Sequence, residues 1–463
     1  MKKLYSIIIL TGGLTVFTGC KKFIDVNQDP NRPISVQESL ILAPVELKIS
    51  SDVMAGGGVA CTVQEYMQVM ALNQVAPNSG TYLMYNSDTD GDWSNIYVGC
   101  LNNLRNLTKM AEADGKTYYS GISKILTAYC LATATDLWGD IPYSQAFNGT
   151  NNLTPTYDSQ QSIYAQVQAL LDAGIADINK KGGVAPSGDD LYYNGDMTKW
   201  VKLAYTLKAR YYMHLINAPG TTPAAQAQLA LTALNNAMTS NSDDFKMVYT
   251  GSAGTENPWQ QNFLSVSTFV LGDTFVNGFA QRNDPRVSKM VAPAKQTGLY
   301  TGRQNGLTAI GSLESYSIPA SFYAGAAAYN YLVNYSEVLF LKAEATYYTS
   351  GFAAAAPFYI AGVQSHMNKL GVSSTDAATY LASRTLTANN ALQLIMEEKQ
   401  IANFLLMENF TDWRRTGYPK ITKVLNALSD IPRRVLYPQL EITSNPQPVQ
   451  SATLTSRVWW DTK

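Results

Sequence analysis

His214 and His366 are the only imidazoles in the 463 residues, and both fall in stretches of helical periodicity. A Ser-His-Asp triad, a Cys-His nucleophile or a His-based metal centre needs a clustered imidazole, so the pair nearly excludes all three. The plain reading of each is a satisfied helix histidine. No HExxH, GxSxG or CxxC spacing occurs. Gly115-Lys116-Thr117 resembles the close of a phosphate-binding loop, yet Met110 stands where that motif requires glycine and no strand pattern precedes it; this leaves a surface turn. Carboxylates remain. Asp136, Asp140, Glu397 and Glu398 are of the type used in two-acid glycoside hydrolysis, although no spacing pairs any two of them. Residues 86–91 (NSDTDG) fit the opening of a calcium loop, but the bidentate Glu expected at the twelfth position is Tyr97. The stretch therefore reads as an acidic surface turn, with calcium as the alternative, and no other metal is expected.

Composition favours neutral recognition. The chain has 29 Tyr against 14 Phe and 7 Trp, a net charge of −1 and 15% charged residues, below the roughly 25% of an average globular protein. Phosphate binding needs a Lys/Arg excess on one face, which argues against nucleic acid as a partner. Tyrosine offers a flat apolar ring with a hydrogen-bonding tip, a chemistry suited to sugars, which present apolar C–H faces and a rim of hydroxyls. Most individual tyrosines are nevertheless expected to pack helices.

The elements that must position these residues are mainly helical. Apolar residues recur at three and four residue spacings, as in Ile122, Ile125, Leu126, Tyr129 and Cys130. The periodicity predicts helices over about 36–49, 59–74, 93–113, 118–136, 160–180, 198–216, 223–239, 335–349, 354–367 and 388–406. Between about 250 and 331 the texture turns to Gly, Ser, Asn and aromatics, with turn signals at Asn277-Gly278 and Asn305-Gly306. This is expected to be a long irregular insertion, and long loops in compact domains tend to carry function. The pair 335–349 and 354–367, separated by Gly351, resembles one tetratricopeptide-type hairpin.

At the other end, Met1-Lys2-Lys3, an apolar run over 4–16 and Phe17-Thr18-Gly19-Cys20 predict a signal peptide over 1–19, with lipid attached to Cys20. The run is too short to span a bilayer. Phe17 replaces the usual Leu of the lipobox. Residues 20–34 then form the lipidated start and a proline-punctuated tether, and 35–463 a single helical domain. Cys61, Cys100 and Cys130 remain, an odd number that permits one disulfide at most; in apolar helices a buried free thiol is the commoner role.

Six stretches, read with this anchor, resemble the SusD/RagB family of outer-membrane glycan-binding lipoproteins, in its SusD-like branch. They are 23–30 (FIDVNQDP), 134–143 (ATDLWGDIPY), Asp284-Pro285-Arg286, 335–345 (YSEVLFLKAEA), 397–419 (EEKQIANFLLMENFTDWRRTGYP) and 431–438 (IPRRVLYP). Gly139 and Pro142 suit a turn after a helix, and Trp413, Arg414 and Arg415 suit packing and capping of carbonyls. The resemblance implies a mainly α-helical fold with four tetratricopeptide-like repeats and a loop-rich face that binds glycan. It also implies a non-catalytic role beside a SusC-type TonB-dependent outer-membrane transporter, over whose mouth the lipoprotein sits as a hinged lid, facing the exterior.

Candidate ligand residues should then lie in the irregular parts. Tyr82, Tyr85, Trp259, Tyr300, Tyr316 and Tyr323 fit as stacking rings, with Asn86, Asp88, Arg303 and Asn305 as hydroxyl partners; Trp93 shares a helix face with Tyr97 and fits less well. Two rivals stay open: a glycoside hydrolase on a helical scaffold, and a repeat-type adaptor of the uptake complex with no sugar site. Some members of the family handle other polymers, and the sequence does not fix the cargo.

Overall fold

The computed structural model describes residues 37–264 and 268–463. The signal peptide, Cys20 and the tether lie outside the described residues, as does the first of the six stretches.

Long helices pack as antiparallel hairpins. The Gln160–Lys180 helix begins where Ser159 accepts a hydrogen bond from the Ser162 amide at 3.2 Å and ends at Lys181, whose φ is 57°. It lies against Thr117–Trp138 through facing glycines. A Cβ on Gly121 would sit 2.8 Å from the Gly174 carbonyl oxygen, and one on Gly174 would sit 2.9 Å from that of Gly121. Met197–His214 pairs with Pro223–Leu234, which opens with proline in its first turn and Thr222 as cap. The expected tetratricopeptide-type hairpin is present as Tyr335–Ser350 and Phe352–Lys369. Gly351 turns it at φ 83°, and Gly362 admits the Phe340 ring, which would lie 2.9 Å from an added Cβ.

Some boundaries differ from the periodicity. The helix expected over 59–74 is Gly58–Tyr66 and stops because Gln68 adopts φ 55°, after which Met70–Leu72 is extended. The helix expected over 388–406 is Ala391–Ala402, broken before Leu405 at φ 67°, and a further helix, Glu408–Thr416, follows. The insertion is less irregular than expected. Asn277-Gly278 lies inside the Asp273–Arg282 helix rather than in a turn, because a glycine there lets the Arg282 side chain fold back over it. Asn305-Gly306 is a turn; Gly306 has φ 78° and backs directly onto the Leu425 carbonyl.

Among the described residues, three two-stranded antiparallel ribbons fasten the insertion. Phe245–Met247 pairs with Asn330–Val333 where the chain leaves and re-enters the helical scaffold. Phe269–Leu271 pairs with Met70–Leu72, in the register Met70 to Leu271 and Leu72 to Phe269. Val291–Ala292 pairs with Ile318–Pro319.

Five of the six stretches meet inside the molecule as a buried polar frame. Arg210 forks onto Glu337, with Nε and Nη2 donating at 2.8 and 2.6 Å. Arg286 donates to Asp284 and to Glu398, each at 2.7 Å. Arg415 reaches Glu344 and Asp412, and Arg414 donates to the carbonyls of Asp136 and Arg433 at 2.7 and 2.9 Å. The Trp138 indole donates to Leu436 O at 2.9 Å and the Tyr437 hydroxyl to Asp140 O at 2.7 Å. The residues that carry the resemblance therefore join the helices to one another. Removing one partner of such a pair would strand a buried charge.

The thiols of Cys61, Cys100 and Cys130 are buried and unbonded by disulfide. Among the described residues no helix is long and apolar enough to cross a membrane.

Candidate functional site

The insertion builds a basin of about 370 Å³ from the strands that pair it to itself and to the scaffold. Its floor is apolar, from Phe263, Phe269, Leu313 and Ile318, and Tyr316 stands in its wall. Lys295, Ser312 and Glu314 add polar groups. Aromatic and aliphatic lining with few polar groups is the usual make-up of a small-molecule site.

Tyr316 is held from behind. Arg303 is 1% exposed and its guanidinium stands 5.6 Å from the Tyr316 ring centre, with Nη1 donating to the Tyr316 hydroxyl at 3.3 Å. The remaining donors bind Leu72 O at 3.1 Å, Leu307 O at 2.8 Å and Ala309 O at 2.9 Å. Asn73 exchanges two hydrogen bonds with the Gly311 backbone, at 2.7 and 3.1 Å. A Cβ on Gly311 would come within 3.0 Å of the Tyr316 oxygen, so glycine allows the loop to pass beside the ring.

Of the residues expected to bind ligand, Tyr85, Asn86, Asp88, Tyr300 and Tyr316 are exposed or half-buried. Tyr300, 41% exposed, precedes Thr301, which pairs with Ser317 in the same wall as Tyr316. Tyr85, 62% exposed, belongs elsewhere. Its amide donates to Asp88 at 2.7 Å, and its neighbour Asn86 donates to Tyr437 O at 2.6 Å, tying this turn to the C-terminal segment.

Five expectations are corrected. Tyr82 is 2% exposed, edge-on to Tyr66 at 5.8 Å, and its hydroxyl accepts from the Val424 amide. Trp259 is buried at the start of the Pro258–Asn262 helix. Tyr323 is buried against Phe404 and bonded to His366 Nε2 at 3.0 Å. Arg303 works behind the wall as described, and Asn305 donates to Met70 O at 2.7 Å within the core. Tyr82, Tyr323, Arg303 and Asn305 each have a long-range partner that takes the polar group inward. Phe263, Phe269, Lys295 and Glu314 were not singled out by sequence, because a search for sugar-stacking residues weights Tyr and Trp over Phe.

The titratable groups considered for chemistry are held within the scaffold. Asp136 accepts from the Tyr164 hydroxyl and from the Trp460 indole at 3.2 Å, and Asp140 accepts from the Gln160 amide at 2.8 Å. Glu397 accepts from Arg384 at 2.6 Å, and Glu398 from Arg286 and the Tyr380 hydroxyl. The histidines are satisfied helix residues, as expected. His214 bonds Tyr164 through Nδ1 at 2.8 Å and Glu408 through Nε2 at 2.9 Å. Burial alone would lower its pKa, but the Glu408 and Asp136 carboxylates lift it to about 9. Burial, with Arg286 and Lys369 nearby, pushes His366 well below the usual imidazole range. In the 86–91 turn, Asp88 accepts the Tyr85 amide and Asp90 the Leu440 amide at 3.0 Å, and a helix starts at Asp90. Among the described residues no group of three or more His, Cys, Asp or Glu converges on a point.

Helical hairpins carry a fastened, loop-built basin. Comparison with known proteins gives the family: residues 30–438 match the SusD-like model described as "starch-binding associating with outer membrane", and the chain belongs to that family. Solved structures agree over nearly the whole length. A chitin-binding SusD homolog from Flavobacterium johnsoniae superposes with TM-score 0.79 at 25% identity, covering 92% of this chain and 98% of that one. A structure titled as a chitin-binding protein gives TM-score 0.78 at 25% identity, covering 91% of this chain and 100% of that one. A SusD/RagB family protein from Bacteroides thetaiotaomicron shares the fold, with TM-score 0.79 at 24% identity, covering 92% of this chain and 99% of that one. No curated protein matches the chain.

Proposed function

We propose that this protein is a non-catalytic glycan-binding lipoprotein of the outer membrane, held by lipid on Cys20, exposed to the exterior, and delivering its cargo to a SusC-type TonB-dependent transporter. The observation that carries the reading is the basin of the insertion: an apolar floor for sugar C–H faces, a tyrosine fixed by a buried arginine, and polar groups placed to meet hydroxyls. Family membership and the chitin-binding relatives support a polysaccharide as ligand. The engagement of Asp136, Asp140, Glu397 and Glu398 within the scaffold supports binding without hydrolysis.

The test is an affinity-gel and calorimetric screen of the purified protein against soluble starch, chitin oligosaccharides and other plant and microbial glycans, with products checked by chromatography. Retention by one glycan without breakdown, weakened by Tyr316→Ala, is the expected result. Release of products would replace the reading with a hydrolase. Binding that ignores Tyr316 would remove the basin from it.

A further inference from the structure

A second cavity, of about 310 Å³, opens outside the insertion between the Asn102–Ala113 helix and the turn that follows Pro142. Three cations line it: Arg105, Lys109 and Lys124. Lys124 is neutralised by Glu112 at 2.7 Å and Asp177 at 2.5 Å. Arg105 and Lys109 are not. They stand four residues apart, on one face of their helix, where like charges repel. Among the described residues neither forms an ion pair or a side-chain hydrogen bond, and the cavity lining contains no carboxylate. Asp158, which shapes the turn, is already engaged by the amides of Tyr143 and Ser144 at 2.9 and 2.7 Å and by the Ser144 hydroxyl at 2.6 Å.

The same cavity has an aromatic component. Tyr143 and Phe147 line the cavity, and Arg105 lies close enough to Tyr143 to offset part of the upward push that burial gives its hydroxyl. Phe147 is held at φ 62°, a left-handed conformation that a bulky residue rarely adopts. Its ring stacks on Tyr97 at 6.1 Å with 22° between planes. Backbone strain of this kind persists only where the surroundings enforce it, and it concentrates at ligand sites.

Two uncompensated cations and two aromatic rings lining one space large enough for a sugar ring ask for a ligand with a carboxylate at one edge and an apolar face. We propose that this cavity binds a carboxylated sugar residue of the uronate type, its carboxylate between Arg105 and Lys109 and its ring against Phe147 and Tyr143. Guanidinium–carboxylate pairing supplies the charge-assisted hydrogen bonds and the rings supply the stacking surface. The site is independent of the insertion basin.

The experiment is calorimetry of the purified protein with trigalacturonate and with neutral galactotriose, at low and high salt. Wild type is expected to bind the acid at least about tenfold more tightly, as an interaction with a charged group provides, and to lose most of that preference at high salt. The double variant Arg105→Gln/Lys109→Gln should remove the preference with an unchanged melting temperature. Phe147→Gly, which relieves the left-handed backbone, should weaken trigalacturonate by a separate route if the double variant folds poorly. Equal binding of both sugars, or indifference to both variants, overturns the proposal. So does full competition by sulfate or acetate, which would mark a plain anion site, and so does binding of polyglutamate without trigalacturonate, which would mark a protein-docking surface. Tyr316→Ala should leave this binding intact, so failure here and failure of the basin are read separately.

Discussion

Raising the pH should loosen this protein through one buried histidine. His214 is 1% exposed and lies between Asp136 and Glu408. Its affinity for a proton rises on folding from a value of 6.5 to about 9. A group whose pKa is raised by folding stabilises the folded state fully below the unfolded value, and that stability is lost as pH climbs through the folded value. At about 1.36 kcal/mol per tenfold change in proton affinity, the loss between pH 6.5 and pH 9 amounts to roughly 3 kcal/mol. Glu65 adds to the same trend: burial raises its carboxyl to about 8, so its contribution disappears between pH 4.5 and pH 8. Comparing variants separates the two. Urea unfolding at pH 6, 7.5, 9 and 10 should show wild type losing roughly 3 kcal/mol more stability as the pH rises than His214→Gln loses over the same range, while Glu65→Gln keeps the His214 step. His214→Gln should be less stable at pH 6, since it leaves Glu408 short of a partner. A pH profile of the same slope in wild type and His214→Gln would refute the reasoning.

Other outcomes follow from the packing and the basin. Gly174→Val places a side chain against the Gly121 carbonyl and Ile125, and should cost about 1–3 kcal/mol or more in a urea melt. Arg415→Met strands Glu344 in the core, while Asp412 keeps Lys399 at 2.8 Å, and should cost about 3–5 kcal/mol, whereas a combined Arg415→Met, Glu344→Leu change should recover much of that in the same assay. Tyr316→Ala should weaken glycan binding by roughly tenfold, about 1.4 kcal/mol, without moving the melting temperature. Arg303→Ala should weaken binding and also lower the melting temperature, because four carbonyl and hydroxyl groups lose their donor.

Several helices were legible in the sequence to within a residue or two, and the one expected over 223–239 was legible at its start but stops at Leu234. Ser159 and Lys181 bracket Gln160–Lys180, and Thr222-Pro223 opens its helix where it should. Boundaries set by tertiary structure were not. Gln68 in the left-handed region follows from the pairing of Met70–Leu72 with a strand nearly two hundred residues later, which no window of sequence contains. The same applies to the site. Of the tyrosines expected in the insertion, Tyr300 is exposed and Tyr316 half-buried, but whether a loop tyrosine faces out depends on a distant partner: Val424 for Tyr82, His366 for Tyr323. Composition reports that rings are plentiful, and only contacts report which of them are left over.

The pairing of Phe245–Met247 with Asn330–Val333 means that everything between them departs and returns through one ribbon. To the helical hairpins, the intervening chain is a cassette plugged into a fixed socket. The strand pair closes the loop whatever its length, and closure entropy grows only slowly with length, so residues away from Asp284, Arg286 and the strand paired with Met70–Leu72 can be inserted there at little cost to the frame of buried arginines and carboxylates. Within those limits the lining of the basin can vary while the helical frame stays as it is.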